Sequence, residues 1–323
     1  MTVLVTGANG FVGNHLVGRL HADGVSVRAL VRKHSNAGPL DALGVDHATA
    51  DLDDNRSLGL AVAGCDVVYH LAAAHGPTAT ADACESVNVR GTARLAQAAA
   101  HAGVSRFVYA STRGVHGIVR GGTIDERTPT APDTFYRASK LRGEQELTRV
   151  AAATGMDFVI VRLPSMIGPG AISWLGLVRA VSTGRFRMIG TGTNRQHPCP
   201  IDDAVQALAL VRTADSASGE TFVVGGAETV STREFLICIA DTIGVALLRG
   251  HIPAAPYVAL RMVQAAAARS RGQLPPPARN EFFLMNYRID DTKARRALGY
   301  EPAHALTDAV REMLAWYRMN GHL

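Results

Sequence analysis

Tyr136 and Lys140 are the two residues of this chain whose types and spacing best suit proton transfer. They open and close the segment YRASK at 136–140, so a helix would place both side chains on one face. A free phenol has a pKa of about 10, but a nearby ammonium favours the phenolate and lowers that pKa. We therefore expect the pair to exchange a proton with a carbonyl or alcohol oxygen. A surface helix pair is the alternative interpretation of this spacing.

Further polar side chains follow the strand predicted at 106–110. Thr112 comes just after it, and ligands of doubly wound sheets bind at the carboxyl ends of the strands. We expect its hydroxyl to hydrogen-bond the substrate oxygen near Tyr136, although a hydroxyl at this point also forms turns. Arg113 and His116 are candidate substrate contacts, and a structural role for His116 stays equally open.

A glycine-rich loop separates the first predicted strand from the first predicted helix. Its sequence, TGANGFVG at 6–13, has the spacing GxxGxxG rather than GxGxxG. Glycines allow a tight turn and close approach of a pyrophosphate, and a helix N-terminus supplies free N–H groups. We therefore predict a bound nicotinamide dinucleotide. The predicted contacts are Gly7, Asn9, Gly10, Phe11, Val12 and Gly13.

The residues at the end of the second predicted strand indicate whether the dinucleotide is NAD or NADP. It carries Val31, Arg32 and Lys33, and no carboxylate that could bind the ribose hydroxyls of NAD. Since a guanidinium pairs bidentately with phosphate oxygens, Arg32 suits a 2′-phosphate. The residues favour NADP, with NAD as the alternative. Asp51 and Leu52 follow the third predicted strand and are expected to flank the adenine, with a simple turn role for Asp51 as the alternative.

Strands and helical segments alternate through the first half of the chain, which predicts a parallel sheet. The second half is less regular, with Pro and Gly dense over 164–170 and 184–200. The expected fold class is α/β, with a Rossmann-type doubly wound sheet and a smaller, mostly helical C-terminal domain for the substrate. We assign 1–165 to the dinucleotide-binding domain, with a return segment at about 195–230, and 166–194 and 231–323 to the substrate-binding domain.

The composition of the chain limits the classes of molecule that it is expected to bind. The 323 residues are 47% hydrophobic and 19% charged, which indicates a globular chain with an ample core. Thirty-three Lys and Arg against 28 Asp and Glu give +5, spread along the chain, which suits an anionic cofactor better than nucleic acid. The four cysteines form no CxxC pair, so we expect no metal site and no disulfide framework.

No targeting segment and no membrane span is expected. The most apolar helical stretch, 257–268, is shorter than the roughly 20 residues that cross a bilayer and carries Arg261 and Gln264, so a core or surface helix is the better interpretation. The expectation is a cytoplasmic protein with a small-molecule substrate, no nucleic-acid or membrane partner, and a homodimer as the assembly.

The motifs, taken in order, resemble those of extended short-chain dehydrogenases/reductases, in the NAD-dependent epimerase/dehydratase superfamily. The resemblance covers almost the whole chain. The motifs are TGANGFVG at 6–13, VYHLAA at 68–73, NVRGT at 88–92, VYAST at 108–112, YRASK at 136–140, VIVRLPSMIGPG at 159–170, PIDDAV at 200–205 and ARRALGYEP at 294–302.

The resemblance implies a role for each matching residue. Tyr136 would be the acid–base residue, Lys140 would bind the ribose and depress the tyrosine pKa, and Thr112 would be the catalytic hydroxyl. Asn88 would complete the catalytic set. The implied cofactor contacts are Asp51 and Leu52 at the adenine, and Leu71, Ala72 and Ala73.

Two positions depart from the family pattern. Val31 stands where NAD-using members often carry Asp, which favours NADP. His116 stands where many members have Tyr, so details of their sugar pocket do not carry over.

Three alternative functions are considered for these residues. Reversible carbonyl reduction is favoured, because Ser165 and Met166, candidate substrate contacts after the sixth strand, offer little to grip a nucleotide diphosphate. The apolar segment 252–263 is also closer to the steroid-dehydrogenase and dihydroflavonol-reductase branches. The alternative is a nucleotide-sugar epimerase or dehydratase with retained NAD. Its diphosphate would be bound by Arg113, Arg120, Arg185, Arg187 and Arg195.

The third function is a catalytically silent NADP-binding regulator. It has no chemical need for Thr112, Tyr136 and Lys140 together, and their presence argues against it.

Overall fold

Seven short apolar runs form one parallel sheet. The computed structural model describes residues 1–76, 78–247, 250–277 and 281–323, and of Arg120 the backbone alone. The strands of the sheet are β1 (Thr2–Thr6), β2 (Ser26–Val31), β3 (Asp46–Thr49), β4 (Val67–His70), β5 (Arg106–Thr112), β6 (Asp157–Leu163) and β7 (Thr221–Val223). Their order is β3-β2-β1-β4-β5-β6-β7, and every pairing is parallel.

Helices fill the connections and make up most of the C-terminal part. They are α1 (Phe11–Ala22), α2 (Gly38–Asp41), α3 (Asn55–Val62), α4 (Ala81–Cys84), α5 (Thr92–His101), α6 (Phe135–Thr154), α7 (Leu175–Ser182), α8 (Ile201–Leu210), α9 (Thr232–Ile243), α10 (Ala255–Arg269), α11 (Thr292–Leu298) and α12 (Leu306–Met319). A π-helical segment, Glu85–Gly91, joins α4 to α5. Short 3₁₀ turns span Arg113–His116, Ile172–Trp174, Asp215–Ala217 and Glu281–Phe283.

Four small strand pairs lie outside the central sheet. Three are parallel and the last is antiparallel. They join Arg120–Ile124 to Asn286–Ile289, Met166–Ile167 to Cys199–Pro200, Met188–Ile189 to His251–Ile252, and Arg195–Gln196 to Val230–Ser231.

Both faces of the sheet are covered by helices, because alternate side chains of a strand point to opposite sides. Val3 and Val5 of β1 pack in a cluster with residues of α1 and α8, whereas Leu4 packs with α3, α5 and α6. Each fully buried aliphatic side chain stabilises the fold by about 1.5–3 kcal/mol. The Rossmann-type doubly wound sheet predicted from the sequence is thus confirmed.

A third apolar cluster lies in the C-terminal part. Trp174, Phe235 and Tyr317 are buried there, and α7, α9 and α12 contribute most of the remaining side chains. The helical character of this part agrees with the expectation, and the boundary placed after residue 165 stays a prediction. No helix within the described ranges is long and apolar enough to cross a membrane.

The strand order changes direction between β1 and β4, which defines the crevice where this fold binds ligands. The chain runs outward through β2 and β3, then returns to add β4 on the other side of β1. The loops after β1, β4 and β5 therefore share the carboxyl edge of the sheet, and all three carry residues predicted for the site.

Candidate active site

The glycine loop after β1 has no room for side chains at two of its positions. A Cβ on Gly13 would lie 2.1 Å from the Gly7 carbonyl oxygen, and one on Gly7 would lie 2.8 Å from the Ala72 amide nitrogen. Gly7 also has a left-handed backbone, with φ of +66°. Gly10 directly precedes α1, and no side chain caps the first N–H groups of that helix. This close backbone turn and uncapped 12-residue helix fit a pyrophosphate.

The neighbouring strand ends hold the residues predicted for the adenosine side. The Ala50 amide donates to the Val31 carbonyl at 3.1 Å, so the ends of β2 and β3 lie side by side. Arg32 and Asp51 are both exposed there. Leu52 is buried instead, and a Cβ on Gly91 would lie 3.0 Å from its Cβ. The structure therefore leaves the guanidinium and the carboxylate accessible, while Leu52 also packs in the core.

Three further predicted cofactor contacts lie at or just before the start of α1: Asn9, Phe11 and Val12. The Asn9 amide donates to the Asn36 carbonyl at 3.1 Å, which ties the glycine loop to the segment after β2. Phe11 is half-buried against both the sheet cluster and the C-terminal cluster, and Val12 packs on the sheet cluster.

The loop after β4 is fixed against β1 by its backbone. Leu71 donates its N–H to the Thr6 carbonyl at 3.3 Å, and Ala72 donates to the Thr6 hydroxyl at 3.2 Å. Thr6 is also 2.8 Å from His70 Nδ1, whose other ring nitrogen lies 3.0 Å from the Thr92 hydroxyl. Burial lowers the pKa of His70 to about 3, so this ring is neutral. The loop of Leu71, Ala72 and Ala73 is thus held on a buried polar chain.

Asn88 uses all of its side-chain amide to position that same loop. Its Oδ1 accepts from the Ala74 N–H at 2.7 Å, and its Nδ2 donates to the Ala74 carbonyl at 3.0 Å and to the Ser139 hydroxyl at 2.9 Å. It lies in the π-helical segment, a type of irregularity that is frequent at functional sites. Asn88 therefore links the β4 loop to α6 as a positioning residue.

Tyr136 and Lys140 stand one turn apart near the start of α6. The Thr134 hydroxyl caps this helix by accepting from the Arg137 N–H at 3.2 Å. The half-buried Tyr136 ring lies 6.4 Å from the His75 ring, centroid to centroid. Lys140 is 2% exposed, with Nζ 4.0 Å from the centroid of the Tyr109 ring. No hydrogen bond or ion pair joins its ammonium to a residue within the described ranges, so its donors are available to a ligand.

Burial governs the protonation of the pair. It raises the pKa of Tyr136 to about 12 and lowers the pKa of Lys140 to about 7, with the Glu144 carboxylate opposing the second shift. The expected lowering of the tyrosine pKa by the Lys140 ammonium is not found. Desolvation of the phenolate is the largest cause of the raised pKa, and the charge that opposes it is that of Arg137. The phenol is therefore held protonated, as a proton donor must be.

Thr112 and Arg113 follow β5 at the same edge. The Thr112 hydroxyl accepts from the Gly114 N–H at 3.0 Å, which leaves its own hydrogen for donation. Arg113 is 4% exposed and lies over the Tyr287 ring at 4.3 Å. Its Nη1 is buried without a hydrogen-bond partner in the described ranges. Because this buried cation directly follows Thr112, Arg113 stays a candidate substrate contact.

His116 lies in a buried network beside the strands. Its Nδ1 is 3.3 Å from the Pro129 carbonyl, and its Nε2 is 3.5 Å from Arg162, which pairs with Glu144 at 2.7 Å. Both ring nitrogens thus face protein groups, and burial lowers the pKa of this histidine. Of the two roles left open for His116, the structure favours the structural one.

Ser165 and Met166 enter hydrogen bonds through their main chain. The Ser165 carbonyl accepts from the Cys199 N–H at 3.0 Å, and the Met166 carbonyl accepts from the Trp174 indole at 2.8 Å. Their half-buried side chains leave their role as substrate contacts a prediction. In the part of the chain that the structure describes, no group of three His, Cys, Asp or Glu could hold a metal ion.

Sequence reasoning missed one further group beside Tyr136. Arg137 pairs with Glu281 at 2.6 Å, and Glu281 pairs in turn with Arg261 at 3.1 Å. No spacing rule connects residues 144 positions apart, so this contact had no signal in the sequence.

The sheet with its switch point and the glycine loop place the chain among Rossmann-type α/β proteins. The family model "NAD dependent epimerase/dehydratase family" matches residues 3–225. The chain belongs to this family, within the extended short-chain dehydrogenases/reductases, as the motifs predicted.

Curated relatives of the chain differ in their chemistry. A 4-hydroxy-2-methyl-3-oxo-4-farnesyl-3,4-dihydroquinoline-1-oxide ketoreductase of Stigmatella aurantiaca is 32% identical, covering 93% of this chain and 92% of the relative. Sterol demethylase protein B of Methylococcus capsulatus is 32% identical over 99% of both. A UDP-glucose 4-epimerase of Mycolicibacterium smegmatis is 30% identical, covering 98% and 99%.

Among solved structures, the crystal structure of gox2253 superimposes with a TM-score of 0.85. It shares 27% sequence identity and covers 100% of this chain and 99% of its own. The two folds therefore match over nearly the whole of both chains.

Proposed function

We propose that this protein is an NAD(P)-dependent oxidoreductase that reversibly reduces a carbonyl group to a secondary alcohol, with Tyr136 as the acid–base residue. The observation that carries the proposal is the position of Tyr136 one helical turn from the buried Lys140, whose Nζ has no hydrogen-bond or ion-pair partner among the described residues. Burial raises the pKa of the Tyr136 phenol to about 12, which favours its protonated form. The ketoreductase relative supports this direction of chemistry.

The residues that would hold the cofactor fit a dinucleotide. Gly7, Gly10 and Gly13 form the close turn at the uncapped start of α1, and Lys140 has free donors for ribose hydroxyls. The bound nicotinamide supplies or accepts the hydride. Arg32, exposed at the end of β2, favours NADP, because its guanidinium suits a 2′-phosphate.

The chain's own residues handle the proton. As negative charge develops on the carbonyl oxygen, the Tyr136 hydroxyl donates its proton to that oxygen. The Thr112 hydroxyl donates a second hydrogen bond to the same oxygen, and the Lys140 ammonium stabilises the phenolate left behind. Asn88 keeps the β4 loop against α6, so the wall of the site stays in place. In alcohol oxidation each of these transfers is reversed.

A nucleotide-sugar epimerase or dehydratase is the second candidate, favoured by the 30% identical UDP-glucose 4-epimerase. The arginines considered for a diphosphate do not share one environment. Arg113 is buried against Tyr287, whereas Arg185, Arg187 and Arg195 are exposed. The side chain of Arg120 lies outside the part of the chain that the structure describes. The difference in burial among the other four arginines supports the reductase over the epimerase.

The test compares two tyrosine variants on a panel of ketones and aldehydes with NADPH. Tyr136→Phe removes the proton donor, so kcat should fall by about 10²–10⁴-fold, with NADPH affinity unchanged. The control is Tyr69→Phe, because that hydroxyl donates to the Leu208 carbonyl at 2.8 Å, away from the site. Retention of more than half the wild-type rate by Tyr136→Phe would contradict the acid–base assignment.

The nucleotide carried through purification separates the two candidate functions. A reductase releases its cofactor each turnover, so the protein purified without added cofactor should carry little. Stoichiometric NAD that survives gel filtration, with epimerisation of a nucleotide sugar and no net NADPH consumption, would assign the second candidate instead.

A further inference from the structure

Helix α10 exposes an apolar surface to solvent. Every other helix of the described ranges buries at least one residue, whereas none of the 15 residues of α10 is buried. Leu260, Met262 and Val263 are 57%, 65% and 65% exposed, and Ile252 and Leu274 are exposed nearby. We call these five side chains the α10 surface. Isolated exposed apolar residues are ordinary, whereas three within one helical turn, Leu260, Met262 and Val263, make this helix a candidate interaction site.

The segment that carries this surface is also basic and free of acids. Between Asp241 and Glu281 the sequence has no Asp or Glu, although the whole chain has 28. The same stretch has five arginines and one histidine: Arg249, His251, Arg261, Arg269, Arg271 and Arg279. Arg269 and Arg271 are exposed at the C-terminal end of α10. Exposed apolar side chains flanked by cations are typical of helices that lie on anionic lipid.

The helix is anchored to the body of the protein through its polar side. The Arg261 side chain is 11% exposed, pairs with Glu281 at 3.1 Å and donates to the Pro276 carbonyl at 2.7 Å. Glu281 also pairs with Arg137, which is the neighbour of Tyr136. The N–H of Phe135, which begins α6, donates to the Pro275 carbonyl at 3.2 Å. The cation thus points inward to the catalytic helix while the apolar side chains point outward.

We propose that the α10 surface binds the interface of an anionic lipid bilayer, which revises the expectation from the sequence that the protein has no membrane partner. Leu260, Met262 and Val263 would enter the boundary between headgroups and acyl chains, while Arg269 and Arg271 pair with lipid phosphates. The charge argues against a second copy of this chain as the occupant, because two acid-free basic segments repel each other. This inference does not depend on the reaction proposed for the site.

Vesicle co-sedimentation of the full chain tests the proposal. The probes are vesicles of phosphatidylcholine with phosphatidylglycerol, and of phosphatidylcholine alone. The wild type should sediment with the anionic vesicles and bind the neutral ones at least about tenfold more weakly. The triple variant Leu260→Ser, Met262→Ser, Val263→Ser should lose binding by at least about tenfold. Because all three positions are exposed, circular dichroism and Tm should stay at wild-type values.

Two further variants make the outcome decisive. Leu60→Ser alters a side chain that is 71% exposed on α3 and should bind as wild type does. The pair Arg269→Ala and Arg271→Ala should weaken binding to anionic vesicles and reduce its dependence on salt. Absence of wild-type binding to anionic vesicles, or equal binding by the triple variant, overturns the proposal. If the wild type is a dimer that does not bind vesicles, and the triple variant is a monomer, the α10 surface serves self-association. That outcome also overturns the proposal.

Discussion

Lys140 combines a central place in the site with an environment that disfavours its charge. It is 2% exposed, and burial lowers its pKa from 10.5 to about 7. The Tyr109 ring 4.0 Å from Nζ offsets part of this cost, since the face of an aromatic ring attracts a cation. The lysine is therefore retained at the expense of stability, which is common where a residue serves a ligand.

This cost predicts a pH-dependent gain in stability for Lys140→Met in the protein without cofactor. Below pH 7 both the folded and unfolded wild type carry the proton, so the full cost of the buried charge is present. Between pH 7 and 10.5 the unfolded chain binds a proton that the folded chain lacks, so wild-type stability rises with pH. Thermal unfolding should show the largest Tm gain for the variant near pH 6 and a smaller gain near pH 9.5.

The matched control is Lys33→Met, because Lys33 is exposed. Its Tm difference from the wild type should be the same at both pH values. A gain for Lys140→Met that stays constant or grows with pH would show that the charge is not the cause.

At the scale of elements, α1 contains two glycines with opposite surroundings. A Cβ on Gly13 would lie 2.1 Å from the Gly7 carbonyl oxygen, whereas one on Gly18 would meet nothing within 4 Å. Gly13→Ala should therefore displace the glycine loop, lower Tm and weaken NADPH binding at least about tenfold. Gly18→Ala should stabilise the protein by about 0.5–1 kcal/mol and leave NADPH binding unchanged.

Thermal unfolding and fluorescence titration of NADPH check both variants. Equal NADPH affinity in Gly13→Ala and the wild type would show that the close contact between Gly13 and Gly7 is not required for NADPH binding. A lower Tm for Gly18→Ala than for the wild type would contradict the open space that the structure shows around a Cβ at this position.

The elements were predictable because their signals are local. Short β-branched runs separated by helical segments predicted the strands of the sheet, and the i, i+4 spacing of Tyr136 and Lys140 predicted that they lie one helical turn apart. The raised pKa of Tyr136 was not predictable, because desolvation depends on tertiary packing. The hydrogen bonds between the Asn88 side-chain amide and the Ala74 main chain were not predictable either. They form only because the fold brings the π-helical segment against the loop after β4.

At the scale of the whole molecule, the α6 N-terminus connects the sheet to the C-terminal part. Arg137 pairs with Glu281, and the Glu281 carboxylate also pairs with Arg261 of α10. Both arginine side chains and Glu281 are nearly buried, and removing one partner from such a group leaves a buried charge uncompensated. The N-terminal end of α6, which carries Tyr136, and the exposed helix α10 are thus joined by this group of three charged side chains.

Cofactor choice is measured on the whole molecule through its thermal stability. A ligand that binds only the folded state stabilises it by about 2.7 kcal/mol at 100 times its Kd. Because Arg32 is exposed at the end of β2 and no carboxylate follows Val31, NADPH should raise Tm more than NADH at equal concentration. Arg32→Ala should remove most of that difference, whereas Arg56→Ala, which alters an arginine on α3, should preserve it. Equal Tm shifts for the two nucleotides with the wild type would show that Arg32 does not recognise the 2′-phosphate and would make NAD the cofactor to consider.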